Sequence, residues 1–434
     1  MPFWLAMGTG IRNAVKVWHR RSGKDKTDLN FIHSRMYPEN GGRIGTYFHL
    51  FPTYAQAKKV MWDGIDGNGF KVMNHFPDEL VMSRNETELQ VTLRNTSIYQ
   101  LIGTDKIDSI VGTNPVGCVF SEYALQNPRA YDLLSPILVE NGGWAVFNFT
   151  PRGHNHAEGL YKMARSNPAW YCSLFTVDDT RKEDGTPVVS RAQIEAERER
   201  LIAQGKSEAD ADTLIQQEYY CSFEGYLEGS YYAEQLRRAR GEGRITRVPW
   251  RTNEPVFTFW DIGVGDSTAI WFGQRYKHLI LFIDYLEDHG KQIGYYAKKL
   301  QEMPYTYGGH YWPHDGKNKD FSGAENENRR DTGQRLGIRP INIVPRGNID
   351  DGIDNVRRLF SQCWFDGAKC ARGLDALTSY RKQWDEDRKE FRPIPYHDWA
   401  SHGADAFRTM GASRWDLPVQ DHMPHRFPPS AMSA

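Results

Sequence analysis

The chain has 434 residues, of which 39% are hydrophobic and 25% are charged, a composition typical of a soluble globular protein. Its length exceeds what one hydrophobic core usually serves, which predicts two domains. The net charge of −1 gives no global signature of nucleic-acid binding, although it is compatible with a local basic groove.

Two further features of the composition bear on the compartment. No run of about 18 apolar residues occurs, so no transmembrane helix is predicted, and the first residues lack the long apolar core of a signal peptide. The five cysteines form no Cys-x-x-Cys pair, which favours a reducing compartment and argues against a structural zinc site.

Short apolar strands alternate with helical stretches over about the first 170 residues, a pattern that predicts an α/β domain. The predicted strands are 14–18, 46–51, 89–93, 98–103, 116–120 and 143–149. The segments 89–93 and 98–103 are expected to form a hairpin, and a helix is expected to begin at Pro52. The charged segment 190–220 predicts a solvated pair of helices with a break near Gly205.

A second strand-rich block begins near Pro255. Its predicted strands are 256–262, 268–274, 278–286 and 310–315, and its predicted helices are 290–303, 349–362 and 402–413. The first two strands are expected to form an antiparallel hairpin, and the first strand is expected to lie centrally with both faces covered. The proline-rich tail 414–434 is expected to be disordered.

The segment HRRSGKDKTD, residues 19–28, follows a predicted strand and precedes a helical segment, as a phosphate-binding loop does. In such a loop, backbone N–H groups at a helix N-terminus hold the phosphates, and a lysine reaches the β and γ groups. Gly23 and Lys24 fit the GxxxxGK[ST] pattern. Trp18 replaces the first glycine of that pattern, and Asp25 replaces the Ser or Thr that holds Mg²⁺. The alternative interpretation is a basic surface turn.

VGCVFSEYA, residues 116–124, is an apolar strand that ends in a glutamate. P-loop ATPases carry a Walker B aspartate there, which orders Mg²⁺, followed by a glutamate that polarises the attacking water. Ser121 replaces that aspartate and Glu122 keeps the position of the base; the alternative is an ordinary surface glutamate at a strand end. FNFTPRG, residues 147–153, is a strand that ends in a polar residue suited to sense a γ-phosphate.

Four segments resemble, in their order, the ATPase half of the large terminase subunit, the DNA-packaging motor of tailed bacteriophages: HRRSGKD, TYFHLFPTYAQAKKVMW, VFSEYA and FNFTPRGHNH. The resemblance implies a P-loop (ASCE-type) ATPase domain over residues 1–175, with Lys24 as the Walker A lysine and Glu122 as the catalytic carboxylate. It implies that Thr150 lies in the motif that couples hydrolysis to movement. The implied nucleotide-binding residues are Arg20, Arg21, Ser22, Gly23, Lys24 and Asp25. Either of these two arginines is a candidate for stabilising the transferred charge from within the chain.

Three aspartates lie in separate predicted elements of the second half. Asp261 lies near the end of the first buried strand, Asp315 ends the fourth strand, and Asp405 lies on the last predicted helix. Burying an unpaired carboxylate is costly, so a cation is expected near Asp261. Two strand-end acids and one helical acid make the arrangement of an RNase H-like nuclease, whose two divalent ions need converging carboxylates. Oxygen ligands favour Mg²⁺ or Mn²⁺ over zinc.

Each aspartate also has a simpler interpretation. Asp261 would cap the glycine-rich turn that follows it, Asp315 would be a turn residue, and Asp405 would lie on a helix surface. Asp266, in that turn, and Glu287, after the third strand, are candidates for a fourth carboxylate. Turn chemistry alone also explains Asp266.

Two histidines adjoin these acids. His402 precedes Asp405 by three residues and is expected either to orient a phosphate or to cap the helix together with Ser401. His314 is expected to point to the strand face opposite Asp315 and to be structural.

DIGxxDxT, HDG and SHGADAxR also occur in this order in the nuclease domain of the large terminase subunit, so the resemblance extends over about residues 14–413. It implies an RNase H-like nuclease domain over 251–413, a helical linker or lid region over 176–250 and a disordered tail over 414–434. The implied cofactors are ATP with one Mg²⁺ in the first domain, and two Mg²⁺ or Mn²⁺ ions held by the three aspartates in the second.

Taken as a whole, the resemblance implies an ATPase and endodeoxyribonuclease that drives double-stranded DNA into a procapsid and cuts concatemeric DNA. The expected partners are double-stranded DNA, the portal protein and the small terminase subunit, with no membrane. The expected assembly is a pentameric ring on the portal, or a monomer in solution, in the host cytoplasm. One alternative is an RNase H-like metal-dependent nuclease whose N-terminal domain is inactive or merely binds nucleotide. Another is a non-enzymatic assembly protein that bridges portal and DNA.

Basic residues that follow Asp315 are the candidates for DNA contacts. Lys317 and Lys319 are the nearest, and contacts of this kind with phosphates give affinity that does not depend on base sequence. Further basic residues in this half are Arg329, Arg330, Arg346, Arg357 and Arg358. The alternative is ordinary solvated charge.

Overall fold

The computed structural model describes residues 2–67, 69–105, 110, 112–225, 228–263, 267–317, 328–385, 388 and 390–413. The chain forms two compact units, Met1–Ser230 and Tyr231–Ala434. The domain limits expected from the sequence stay a prediction. Among the described residues, no helix combines the length and the apolar character needed to cross a membrane.

The first unit is built on one sheet with helices on both faces. Its helices are α1 (Pro2–Gly8), α2 (Lys24–Arg35), α3 (Tyr54–Ala57), α4 (Arg129–Glu140), α5 (His156–Ser166), α6 (Arg191–Ala203) and α7 (Glu208–Tyr220). Its strands are β1 (Asn13–Trp18), β2 (Thr46–Phe51), β3 (Val81–Asn85), β4 (Gln90–Leu93), β5 (Ile98–Gly103), β6 (Pro115–Ser121), β7 (Trp144–Phe149) and β8 (Trp170–Phe175).

The strand order of this sheet is β3-β4-β5-β2-β6-β7-β1-β8. The six strands from β5 to β8 in that order are parallel, and β3 and β4 add an antiparallel edge. β7 lies between β1, which leads into the phosphate-loop segment, and β6, which leads to Glu122, in agreement with the predicted ASCE-type ATPase fold. Because parallel strands end on the same edge, the loops after β1, β6 and β7 meet there.

Strand burial explains why the sequence is apolar along these strands. Ala14 of β1 packs into the core on one face of the sheet, whereas Val15 and Val17 pack into the core on the other. A parallel sheet covered on both faces needs apolar residues at successive positions, as the sequence pattern indicated. The α/β class is therefore confirmed.

Some local predictions for this unit need correction. The helix expected at Pro52 begins at Tyr54, because Thr53 caps it by accepting a hydrogen bond from the Gln56 N–H at 3.1 Å, and it continues as a π-helix over Lys58–Trp62. β3 and β8 were not predicted from the sequence. The expected break in the charged helical segment is confirmed, since Gly205 lies between α6 and α7 with φ of 92°.

The second unit contains a seven-stranded sheet and a small two-stranded one. Its strands are β9 (Ile245–Thr246), β10 (Val256–Asp261), β11 (Ser267–Tyr276), β12 (Leu279–His289), β13 (Tyr307–Trp312), β14 (Ile341–Ile343), β15 (Cys363–Asp366), β16 (Lys382–Asp385) and β17 (Glu390–Pro395). Its helices are α8 (Ala233–Gly241), α9 (Ile293–Glu302), α10 (Arg329–Arg335), α11 (Ile349–Leu359), α12 (Ala371–Ser379) and α13 (Ala400–Ala412).

The large sheet has the order β14-β13-β10-β11-β12-β15-β9. β10 and β11 form the predicted antiparallel hairpin, and β12 pairs with β11 as a third, antiparallel strand. β13 and β14 follow in parallel on the other side of β10. This order of five strands agrees with the predicted RNase H-like fold. β10 is central, and α13 packs with Phe259 and Trp271 on one face of the sheet.

The strand predicted over 310–315 is wrong in its last residues. β13 ends at Trp312, and His314–Lys317 form a 3₁₀ helix. Pro313 has no N–H to donate to a neighbouring strand, which accounts for the end of the strand. His314 therefore does not lie on the strand face opposite Asp315; its Nε2 lies 3.1 Å from Asp315 Oδ1.

Candidate functional sites

The first candidate site brings together three residues predicted to act on a nucleotide. Lys24 is the first residue of α2, Glu122 directly follows β6, and Thr150 directly follows β7. The Lys24 Nζ lies 2.7 Å from Glu122 Oε1 and donates a hydrogen bond to Thr150 Oγ1 at 3.1 Å. Thr150 Oγ1 in turn donates to the Trp18 carbonyl at 3.1 Å. Residues up to 132 positions apart in the chain thus share one polar cluster.

The backbone of this site is held in left-handed conformations. Arg21 has φ of 70°, Gly23 has φ of 79°, and Glu122 has φ of 55°. A Cβ atom at Gly23 would meet nothing within 4 Å, so the glycine is favoured by its conformation and not by lack of space. A left-handed conformation costs a residue with a side chain about 1–3 kcal/mol, and such strain concentrates at functional sites.

The donors at this site fit phosphate groups. Gly23 is the N-cap of α2, and the first N–H groups of a helix have no partner within it. The helix dipole adds positive potential at the same end. Ser22 Oγ is buried and has no hydrogen-bond partner among the described residues. A buried polar atom without a partner is costly in a folded protein, and a bound phosphate would supply the missing partner.

The charges of Lys24 and Glu122 stabilise each other. Burial by itself would lower the pKa of Lys24, but the charges of Glu122 and Asp25 outweigh it, and the pKa lies above its ordinary value. Burial would raise the pKa of Glu122, but the charges of Lys24 and Arg152 outweigh it, and the pKa lies below its ordinary value. Both groups are therefore charged at neutral pH, which suits Lys24 to meet a phosphate.

Sequence reasoning missed a buried network behind the loop. Lys16 on β1 and Asp28 on α2 form an ion pair without solvent exposure, and Asn148 on β7 donates to Asp28 Oδ2. Burial lowers the pKa of Lys16 and raises that of Asp28. A lysine within an otherwise apolar strand was the only sequence signal for this pair. The network ties α2 to the centre of the sheet, so it positions the residues that begin α2.

The arginines of the first site have different surroundings. Arg20 is largely exposed, and its Nη1 lies 3.6 Å from Glu218 Oε2 on α7. Arg152, which was not predicted, forms a partly buried ion pair with the same carboxylate. The charge of Arg152 lowers the pKa of Glu122, and the charge of Arg20 lowers it less. Among the described arginines, Arg152 has the stronger electrostatic link to the predicted base.

The second candidate site joins β10 to α13. Asp261 ends β10, and its Oδ2 lies 3.1 Å from His402 Nδ1. Asp405 lies one turn further along α13, where its Oδ1 accepts a hydrogen bond from Tyr380 at 3.2 Å and pairs with Arg408 at 3.0 Å. α13 begins at Ala400, so His402 lies inside the helix and does not cap it. Its ring contacts Asp261 instead.

The electrostatics of this pair of acids favour a cation. Burial raises the pKa of Asp405 to about 6, and the charge of Asp261 contributes to the rise, while Arg408 opposes it. Two carboxylates close enough to disturb each other, on a strand end and a helix, form an oxygen donor set that suits a divalent ion. Asp261 and Asp405 therefore fit a metal as a pair.

Glu287 shares the sheet face of Asp261. Asp261 pairs in register with Ala269, and Ala269 pairs with Glu287, so the three side chains project on the same side of adjacent strands. The Ala269 side chain, a single methyl group, lies between the two acids in this register. Glu287 accepts hydrogen bonds from Tyr285 and, at 2.8 Å, from Arg372.

The third predicted aspartate, Asp315, lies outside the two elements that carry Asp261 and Asp405. It lies in the 3₁₀ helix after β13, is about half exposed, and pairs with His314. Within the described ranges, no group of three or more His, Cys, Asp or Glu side chains is arranged to hold a metal ion. The role of Asp315 as a third ligand therefore stays a prediction.

Several predicted residues fall outside the described residues or differ from expectation. Asp266 and Lys319 lie outside the described residues, as do residues 414–434, and the backbone of Lys317 ends the 3₁₀ helix. Arg329 is 8% exposed and begins α10, so it is buried and not part of a basic loop. Arg330, beside it, is exposed.

Sequence reasoning also missed the residues that hold the second site. Tyr380, Arg408 and Arg372 each contact one of the acids, but each lies in a helix or directly after one, where such residues are ordinary. The only signal was the spacing of Asp405 and Arg408, three residues apart on one helix face.

Comparison with known proteins gave matches among solved structures. No protein-family model and no curated protein sequence matches the chain. The chain is similar to a large terminase from a thermophilic bacteriophage in complex with ADP, at 16% identity and a TM-score of 0.38, over 94% of this chain and 95% of that one. It is similar to the HK97 bacteriophage large terminase, at 11% identity and a TM-score of 0.42, over 95% and 94% of the two chains. A third match is the P22 large terminase nuclease domain, at 14% identity and a TM-score of 0.31, over 40% of this chain and 89% of that one.

Proposed function

We propose that this chain is the large subunit of a phage terminase, which hydrolyses ATP to drive double-stranded DNA into a procapsid and cuts that DNA with a metal-dependent nuclease. The observation that carries the proposal is the meeting of Lys24, Glu122 and Thr150 at one edge of a parallel sheet. The sequence motifs of both halves resemble the same family, in the same order.

The first unit would act on the phosphates of ATP. The phosphates would lie at the N-terminus of α2, where Lys24 exchanges its contact with Glu122 for the β and γ groups. Glu122, once released, would orient the attacking water. Thr150 bonds both to Lys24 and to the end of β1, so it is suited to transmit the change in Lys24 to the sheet.

The second unit would cut the phosphodiester backbone. Asp261 and Asp405 would hold divalent ions, and Asp315 would join them. Bound Mg²⁺ or Mn²⁺ would activate water and stabilise the leaving oxygen. His402 holds Asp261 at 3.1 Å and so orients that carboxylate from α13.

DNA-stimulated ATP hydrolysis by the full-length chain tests the motor part of this proposal. Lys24→Ala is expected to abolish it, whereas Lys162→Ala, at an exposed lysine of α5, is expected to leave it unchanged. Absence of ATP hydrolysis in the wild-type chain, or equal rates in the wild type and Lys24→Ala, would refute the proposal.

Cleavage of plasmid DNA with Mn²⁺ tests the nuclease part. Asp261→Asn and Asp405→Asn are each expected to abolish cleavage, and Asp354→Asn, at an exposed aspartate of α11, serves as the matched control. Cleavage that survives both substitutions would remove these residues from the site.

The proposed partners follow from the proposed function. They are double-stranded DNA, the portal protein and the small terminase subunit, with assembly into a pentameric ring on the portal in the host cytoplasm. Lys317 and Lys319 are proposed to contact DNA. Sedimentation of the chain with and without portal protein would measure the assembly.

A second candidate function is a metal-dependent nuclease whose first unit binds nucleotide without hydrolysing it. The presence of Ser121 at the expected Walker B aspartate favours it. This alternative predicts Mn²⁺-dependent cleavage together with nucleotide binding but no ATP hydrolysis, so the two assays above distinguish the functions.

A further inference from the structure

Asp25 and Ser121 contact each other at the edge of the first sheet. Asp25 is the second residue of α2, and Ser121 is the last residue of β6, 96 positions away. The Ser121 hydroxyl is fully buried and donates a hydrogen bond to Asp25 Oδ1. Both residues depart from the expected P-loop pattern: Asp25 replaces a Ser or Thr, and Ser121 replaces an aspartate.

In P-loop ATPases, the residue after the lysine supplies a hydroxyl to Mg²⁺, and the strand end supplies a carboxylate. Here the loop position carries the carboxylate, and the strand position carries the hydroxyl. Considered singly, each substitution removes a donor from the site. Considered together, and given their contact, the two substitutions keep one carboxylate and one hydroxyl at the same place.

Asn148 orients this pair from β7. Its Nδ2 lies 3.4 Å from Asp25 Oδ1, and its Oδ1 lies 3.2 Å from Ser121 Oγ. Asn148 is fully buried and also donates to Asp28, so its amide is held in place. The Asp25 carboxylate is therefore held at the ends of β6 and β7, close enough to Lys24 for its charge to raise the pKa of that lysine.

A carboxylate beside a hydroxyl is the set of oxygen donors that a hard divalent cation prefers, so these residues fit the Mg²⁺ that accompanies ATP. We infer that the carboxylate and the hydroxyl have exchanged their usual positions in this chain. Asp25 supplies the carboxylate for the divalent cation bound with ATP, and the Ser121 hydroxyl orients that carboxylate. This inference rests on the proposed ATPase function and assigns two of its positioning residues.

Binding of a fluorescent ADP analogue, with Mg²⁺ and with EDTA, tests the exchange without requiring hydrolysis. The measured quantity is the ratio of the two dissociation constants. Asp25→Asn keeps the shape of the side chain, and it is expected to reduce the Mg²⁺-dependent gain in affinity by about 10- to 100-fold, as loss of a metal-orienting carboxylate does. Ser121→Ala, which removes the hydroxyl that contacts Asp25, is expected to reduce it as well.

The double variant Asp25→Ser, Ser121→Asp restores the usual arrangement and is expected to recover the wild-type ratio. Asp184→Asn, in an exposed turn of the same unit, is the matched control and is expected to keep that ratio. An unchanged ratio in Asp25→Asn would overturn the exchange, as would a folded double variant that binds no better than Asp25→Asn. If the double variant does not fold, Asp25→Asn alone decides. No Mg²⁺-dependent nucleotide binding by the wild-type chain would instead refute the proposed ATPase function.

Discussion

Replacing Glu122 with glutamine should separate nucleotide binding from hydrolysis. In the structure, Glu122 pairs at 2.7 Å with Lys24, the lysine proposed to bind the nucleotide, and 7% of the Lys24 side chain and 18% of the Glu122 side chain are exposed. In the proposed mechanism, this pair breaks when Lys24 moves to a phosphate. Glu122→Gln removes the competing charge while it keeps the size of the side chain.

The size of the effect follows from the strength of the pair. A hydrogen bond between charged groups contributes about 1.5–3 kcal/mol net, and each 1.4 kcal/mol corresponds to about tenfold in affinity. Glu122→Gln should therefore bind ATP roughly 10- to 100-fold more tightly than the wild type. Hydrolysis should fall by about 10²- to 10⁴-fold, the usual contribution of a general base. Without nucleotide, the variant should be less stable, because Lys24 loses its charged partner in a buried site.

Three measurements check this prediction: the dissociation constant of a nonhydrolysable ATP analogue, the hydrolysis rate and the thermal unfolding temperature with and without nucleotide. Glu140→Gln, at the exposed end of α4, makes the same chemical change away from the site and should alter none of them. Equal or weaker nucleotide binding by Glu122→Gln would show that the pair does not hold Lys24 in the nucleotide-free protein.

Three further predictions concern stability and pH. Gly403→Ala should lower both stability and DNA cleavage, because a Cβ atom there would lie 2.7 Å from neighbouring side chains under α13. Gly159→Ala, where a Cβ atom would meet nothing within 4 Å, should stabilise its helix by up to about 1 kcal/mol, so equal unfolding temperatures for the two variants would contradict the packing argument. Burial lowers the pKa of His310 from 6.5 to about 4, so the neutral histidine contributes fully to stability above pH 6.5, and this contribution, roughly 3 kcal/mol in total, is lost as the pH falls towards 4. His310→Asn should flatten this part of the curve of unfolding free energy against pH. Lys16→Met should destabilise the chain by about 3–5 kcal/mol in urea unfolding, because it leaves the Asp28 carboxylate buried without its cation. Adding Asp28→Asn should recover much of the lost stability, and no recovery would mean that the charge of Asp28 is not the cause.

The elements of the first site could be predicted from the amino-acid sequence alone. The apolar strands β1, β6 and β7 could be recognised, and Lys24, Glu122 and Thr150 each follow such a strand closely. Because parallel strands end on one edge of a sheet, their meeting could be expected from the order of elements. The meander β10–β11–β12 was predictable for a similar reason, since its apolar runs are separated by short turns.

The side chains that hold these residues in place could be identified only from the folded structure. Asn148 meets Asp28 and Ser121, and His402 meets Asp261, through contacts between residues distant in the chain. Local propensity carries no information about such contacts, because they depend on strand register and on where a helix packs against the sheet.

The two substitutions in the phosphate-loop pattern show the same division. From the sequence, Asp25 and Ser121 are two separate departures from the pattern, and each weakens the case for a nucleotide site. In the structure, they are in contact, and together they retain one carboxylate and one hydroxyl. The physical reason is that the chemistry of a site depends on which donor groups lie together in space, whereas a sequence pattern records only the segment that supplies each one.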